Sequence, residues 1–357
     1  MKFVLKKGVT AVRSAFTDVM GNDRLRERLR DELCGHSLSH AYILEGAPGT
    51  GKHTVALRIA MALACQRRDE DDAPLPCMSC PACRKILEGK SPDVIFVKRE
   101  EDHATLGVEI IREVRNDVYT APNELDAKVY ILEEAHLMTP QAQNAFLLTL
   151  EEPPAYVLFL LLCESSANIL ETIRSRAPTL RTQPVGKELM ERHLCDTLPE
   201  AASLQRNNPT ELAELLMAAE GSIGQAKKLL DPKARKPILL RRQTARDFVG
   251  LCTSRRNSLA VMQMLKALPQ KREELITQLH VILLCLRDLL VCKQTDEASL
   301  CFFADREEAF TLSYRFTTPQ LLSLCDRVTE ACDQLRTNAN VRLALTTLAV
   351  NSGLLQV

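Results

Sequence analysis

Between Phe16 and about Val185, short apolar runs of strand length alternate with stretches of helical periodicity. The runs are His40 to Leu44, Val94 to Val97, Val129 to Leu132, Val157 to Leu162 and, more weakly, Thr179 to Thr182. They are apolar throughout rather than at every second position, as suits strands buried on both faces, so the pattern predicts a parallel sheet covered by helices. After Pro184 the pattern changes. Lys187 to about Leu230 reads as short helices, with Asn208-Pro209-Thr210 starting one and Gly221-Ser222 separating two others. From Pro237 only leucine-rich helical periodicity remains through Leu355, for example Leu275, Leu279, Ile282, Leu283, Leu286, Leu289 and Leu290. The expected class is α/β plus all-α, with boundaries at residues 1–184, 185–235 and 236–357.

Composition narrows the partners more than the fold. The chain has 357 residues, 4% aromatic content and no Trp, and its 46 basic and 46 acidic residues cancel. Sparse aromatics argue against a surface that grips single strands by base stacking, and zero net charge gives no footprint of a stand-alone nucleic-acid binder. The basic stretch Lys233-Ala234-Arg235-Lys236 with Arg241-Arg242 could touch phosphate, but an exposed linker and helix face accounts for it as well and is the favoured reading. Asp69 to Asp72 reads as a solvated loop. Met1 to Ala15 carries Lys2, Lys6 and Lys7 but no apolar run of signal-peptide length, and no uninterrupted apolar stretch approaches about 18 residues. The expectation is a cytoplasmic protein with no membrane partner.

The segment Gly46-Ala47-Pro48-Gly49-Thr50-Gly51-Lys52 follows the first apolar run and precedes the helical stretch Thr54 to Cys65. This is the strand-loop-helix setting of a phosphate-binding loop, in which Gly46, Gly49 and Gly51 let backbone N–H groups close around phosphates and Lys52 neutralises them. The next position should offer a hydroxyl to Mg²⁺ but holds His53, and imidazole is a poor ligand for a hard cation. A register shift to Thr54 turns the side chain about 100° away around the helix. Val129 to Leu132 ends in Glu133 and Glu134, where such enzymes place a metal-holding Asp and then a residue that polarises water. Glu133 is one methylene too long for that Asp. The chain therefore has a nucleotide cradle with two faults at its Mg²⁺ position, and whether the loop still holds ATP or ADP passively stays open.

Four of the thirteen cysteines are not scattered. Cys65, Cys77, Cys80 and Cys83 form C-x₁₁-C-x₂-C-x₂-C, a spacing that closes a tetrahedron of thiolates around a structural Zn²⁺ and leaves no open position for a substrate. Ser175-Arg176 follows a helical stretch after the fourth run. An arginine there can stabilise charge on a phosphate, or simply sit in solvent.

Taken together, several segments resemble the AAA+ clamp-loader family of bacterial DNA polymerase III: Ser39-His40-Ala41-Tyr42, the four-cysteine insertion, Ser91-Pro92-Asp93-Val94, Lys128-Val129-Tyr130-Ile131, Met138 to Pro154 and Thr172-Ile173-Arg174-Ser175-Arg176. The resemblance covers about residues 18 to 230 by motifs and the remainder by helical character. It implies a P-loop AAA+ domain with a zinc module at 65–83, a small helical lid and a helical oligomerisation collar. The implied assembly is a ring with motor (gamma/tau) and delta subunits that loads a sliding clamp onto primed DNA. It also implies that Arg176 acts in trans, on the ATP of a neighbour, although Ala177 replaces the family's cysteine. Gly221-Ser222-Ile223-Gly224 lacks the lid arginine at Gly224, and Leu162-Cys163-Glu164-Ser165 departs from the family's polar sensor. These losses imply a non-hydrolysing stator rather than the ATP-hydrolysing motor subunit. The reading from another class is a zinc-containing nucleic-acid-binding protein.

Overall fold

The computed structural model describes residues 14–35, 38–70, 73–99, 105–252, 258–295, 300–337 and 340–351. The readings at Lys2, Lys6, Lys7, Asp71, Asp72 and Leu355 lie outside the described residues. The chain divides into two compact units, Met1–Leu189 and Met190–Val357.

The first unit is built on five strands: β1 (Ala41–Glu45), β2 (Val94–Val97), β3 (Lys128–Leu132), β4 (Val157–Cys163) and β5 (Thr179–Arg181). They pair in the order β2-β3-β4-β1-β5, and every pair is parallel. All seven residues of β4 and all five of β3 are buried, which is why these runs are apolar without alternation. Alternate residues feed two cores. Leu158, Leu160 and Leu162 join Tyr42, Leu44 and the inner faces of the Asp23–Cys34 and Lys52–Ala64 helices on one side. Phe159 and Leu161 join Ile43, Tyr130 and the Val108–Asp117 and Pro140–Glu151 helices on the other. The last of these starts where its sequence dictates, with Thr139 accepting from the Ala142 N–H at 3.2 Å and Pro140 in the first turn.

One buried carboxylate fastens the start of β2 to the loop that leads into β3. Asp93, fully buried, accepts N–H bonds from Asn123 at 2.7 Å, Glu124 at 2.8 Å and Leu125 at 2.9 Å. Burial raises its pKa, but these donors together outweigh burial and hold the carboxyl below its ordinary range. Because the folded pKa is depressed, its contribution is full above the unfolded value near 3.8 and is lost as pH falls through the folded pKa. Asp93→Ala leaves three N–H groups without an acceptor and is expected to cost about 2–4 kcal/mol. Urea titrations of both proteins at pH 7 and pH 3 check this, since the gap between them should narrow at the lower pH.

In the second unit the short helices end at the expected punctuation. Asn208 accepts from the Glu211 N–H at 3.2 Å, and Ser222 from the Gln225 N–H at 3.0 Å after Gly221 at φ 79°. The expected division at 235/236 falls inside one helix, Pro232–Leu251, which runs on past Pro237. Helix Arg272–Gln294 is long and apolar enough to cross a membrane by length and composition, yet half of it is buried within the unit. Leu275, Leu279, Ile282, Leu286 and Leu289 pack there with Phe248, Phe302 and Val328, which makes it a core helix. Its Asp288 is satisfied internally by the N–H groups of Cys301, Phe302 and Phe303.

Candidate functional site

The carboxyl ends of parallel strands are where such sheets bind ligands, and the predicted loop lies there, between β1 and the Lys52–Ala64 helix. Gly49 (φ 77°) and Gly51 (φ 90°) adopt left-handed backbone that favours glycine, and Gly51 opens the helix without a side-chain cap. Gly46 is needed for a different reason. A Cβ there would lie 2.2 Å from Thr182 Oγ1 and 2.8 Å from the Thr182 carbonyl oxygen, so the loop is pressed against the residue that follows β5. Thr50 Oγ1 closes the same contact by hydrogen bonding to the Ala47 carbonyl at 2.8 Å and meeting Thr182 Oγ1 at 2.8 Å. Lys52 folds back, its Nζ donating to the carbonyls of Gly46 at 2.5 Å and Ala47 at 2.8 Å. Burial lowers its pKa, with Glu164 pulling the other way.

The two departures at the Mg²⁺ position face one another. His53 Nε2 lies 3.4 Å from Glu133 Oε1, and Lys98 Nζ reaches the same oxygen at 3.2 Å. The imidazole stacks on Phe96 with ring centroids 5.3 Å apart. Glu134, at φ 50°, pairs with Arg99 at 2.7 Å. An imidazole and a carboxylate already held by an ammonium form a donor set that does not suit Mg²⁺, which seeks oxygen ligands in octahedral geometry. Phe96, Lys98 and Arg99 were missed by the sequence reading, although a Lys-Arg pair directly after an apolar strand was there to be weighed. Glu45 was also missed: its carboxylate, next to Gly46, accepts from the Ser166 N–H at 3.0 Å and pairs with Arg181 at 3.1 Å. The Ser166 N–H, ahead of burial, which acts the other way, keeps its pKa low.

Arg176 lies one residue past Ser175, which ends the Glu171–Arg174 helix. Its Nη1 donates to the Thr172 carbonyl at 3.0 Å and its Nη2 to Glu151 Oε1 at 3.0 Å, with 37% of the side chain exposed. Ala177 beside it is fully buried in the core that includes Phe159 and Leu161. Gly224, within the second unit, has only Ser222 Oγ near a notional Cβ, at 4.0 Å. Glycine there is a choice of residue, not a steric need.

Cys65, Cys77, Cys80 and Cys83 are all buried, and their sulfurs lie within 4.8 Å of one another. Cys77 and Cys83 sulfurs are 4.0 Å apart, far beyond a disulfide bond, while four thiolates at ~2.3 Å from one ion stand about 3.8 Å apart. The residues fit a tetrahedral metal ion. Backbone donors are already aimed at the sulfurs, with Cys80 N to Cys77 Sγ at 3.3 Å and Cys83 N to Cys80 Sγ at 3.4 Å. The Cys83 thiol donates to Cys65 and so holds Cys65 down at about 5, while Cys83 itself is pushed up. Cys65 ends the helix that begins at Lys52, and Cys80 caps the Pro81–Leu87 helix. On the near side, Leu75 exchanges backbone hydrogen bonds with Ser14 and Phe16 at 3.1 and 2.9 Å.

Residues 21–186 match the family described as DNA polymerase III, delta subunit. DNA polymerase III subunit delta' of Yersinia pestis is 31% identical over 234 residues, which is 65% of this chain and 64% of that protein. The chain is similar to subunits of DNA polymerase III. DNA polymerase III subunit tau of Bacillus subtilis is 29% identical to this chain over 290 residues, 78% of this chain and 50% of that protein. The chain thus spans about half the length of that curated relative. A solved structure of a gamma subunit-related protein of DNA polymerase III from Thermotoga maritima aligns over 88% of this chain and 94% of its own, at 17% identity and a TM-score of 0.43.

Proposed function

We propose that this chain is a stator of delta-prime type in the DNA polymerase III clamp loader: it hydrolyses no ATP itself and supplies Arg176 to the nucleotide of a neighbouring motor subunit. The observation that carries the reading is the His53–Glu133–Lys98 cluster. The two positions that should hold Mg²⁺ engage each other instead, while Arg176 keeps a partly exposed guanidinium on an ordered turn. In this reading residues 1–184 are the AAA+ P-loop domain, with a structural Zn²⁺ held at Cys65, Cys77, Cys80 and Cys83. Residues 185–231 are the lid, and the helices from Pro232 onward the oligomerisation collar. The partners are gamma/tau and delta subunits, with the sliding clamp and primed DNA engaged through the complex in the bacterial cytoplasm.

A motor role is the second reading, favoured by relatives named tau and gamma, such as the Bacillus subtilis protein. The isolated full chain separates the two. It is expected to show no ATP turnover above background in a coupled assay, and to support clamp loading only when motor and delta subunits are added. His53→Thr combined with Glu133→Asp should regain some nucleotide affinity without regaining turnover, since Gly224 still leaves the lid position without a cation. Steady turnover by the unaltered chain that disappears in Lys52→Ala would sink the stator reading.

A further inference from the structure

In the helical unit, Arg315 and Arg327 line one cavity of about 340 Å³, near the lower end of the volumes that hold small ligands. Some arginines elsewhere in this unit pair with carboxylates: Arg235 with Glu211 at 3.0 Å, and Arg246 with Glu308 at 2.9 Å and with Glu214. Among the described residues neither Arg315 nor Arg327 has a carboxylate partner or a side-chain hydrogen bond, and no carboxylate lines the cavity. Two guanidiniums are therefore left facing the same space without a counter-charge.

The neighbouring groups suit an anion as well. Arg327 rises from helix Thr318–Arg336, whose first turns also present Gln320 and Ser323 to the cavity. The positive end of that helix dipole adds to the two charges. Gln320 Oε1 is taken by the Thr317 N–H at 2.8 Å in a capping box, so the part of this amide left to offer a ligand is its N–H donors. Burial pushes the Cys252 thiol up to about 12, so that wall brings no competing negative charge. Phe316 and Leu324, both buried, supply an apolar side.

We propose that this cavity binds a small phosphorylated molecule, with Arg315 and Arg327 clamping a di- or monophosphate. A single carboxylate has two oxygens to share among two planar forks, an amide and a hydroxyl, whereas a diphosphate has enough to engage them all. The site belongs to the helical unit and involves none of the phosphate-loop residues.

Calorimetric titration of the full chain in magnesium-free, low-salt buffer tests it, using pyrophosphate and ADP as probes and succinate as a carboxylate of similar charge to ADP's terminal group. Pyrophosphate and ADP should both bind, and binding should weaken as salt rises. Arg327→Gln should weaken it by about tenfold or more, the cost of a lost charge-assisted contact. Arg315 is exposed, so Arg315→Gln retains the fold and should weaken binding to a similar degree even if Arg327→Gln proves unstable. Equal affinity in wild type and Arg315→Gln overturns the proposal. So does loss of all binding in Lys52→Gln, tight binding of succinate, or no binding of pyrophosphate up to several millimolar.

Discussion

The purified chain is expected to carry about one equivalent of zinc, and its removal should be the largest single change in stability available without altering the sheet. The four sulfurs already lie within 4.8 Å of one another, so folding prepays the assembly of the site. Binding to the folded form alone then stabilises by RT ln(1 + [Zn]/Kd), about 4 kcal/mol when free zinc is a thousandfold above Kd. Cys83→Ser should reduce the metal to less than half an equivalent, because a neutral hydroxyl replaces a thiolate in a closed set. The damage should be local. Ser14–Phe16, the segment around Leu75 and the Pro81–Leu87 helix are fastened through this loop and share a core with one face of β1, β3 and β4, whereas the opposite face of those strands rests on a separate core. Hydrogen exchange should therefore quicken from Cys65 to Leu87 and leave Val157–Cys163 protected. Metal should also leave on acidification, as thiolates take up protons. Metal-free protein with unchanged stability would remove zinc from the account of this fold.

Much of the first unit was legible because its strands are buried on both faces. In β4, Leu160 lies between Tyr42 of β1 and Ile131 of β3, and Leu161 between Ile43 and Leu132, with both faces of the sheet covered, so no position in the run tolerates a polar side chain, and the run stands out. The phosphate loop and the cysteine quartet were legible for a related reason: both act through short-range spacing, which the sequence states outright. What joins His53 to Glu133, Lys98 and Phe96 is not local. It depends on the strand order placing β2 beside β3, and nothing in the residues after Val97 announces that neighbour. The same holds for Glu151 beside Arg176, and for Arg315 beside Arg327. The division at 235/236 failed to register as a break because Pro237 lies on an exposed stretch of helix, where losing one backbone donor is tolerated while the Asp231 cap and the packing of Ala245 and Phe248 hold the rest.

Arg176→Ala should lower ATP turnover at the one motor site it faces by about 10³ to 10⁵, the range an arginine finger contributes to phosphoryl transfer. In the free chain the guanidinium is held by Glu151 at 3.0 Å, with both side chains well exposed. Exposed pairs of this kind are worth roughly 0–1 kcal/mol, so a triphosphate offered by a neighbour, with more charge and more acceptor oxygens, would draw the fork away from Glu151. Glu151→Gln should accordingly leave assembly intact and not reduce turnover, since it removes a competitor for Arg176. Arg176→Lys should restore only part of the activity, because an ammonium presents a point charge where the planar fork meets two oxygens. The ring's other sites would continue, so total ATPase should fall only in part while clamp loading onto primed DNA collapses. Reconstituted complexes assayed for both quantities make the distinction: wild-type loading with Arg176→Ala would leave this subunit a spacer, and the geometry of its turn would then owe everything to Ala177 and Ile173 in the core beneath it.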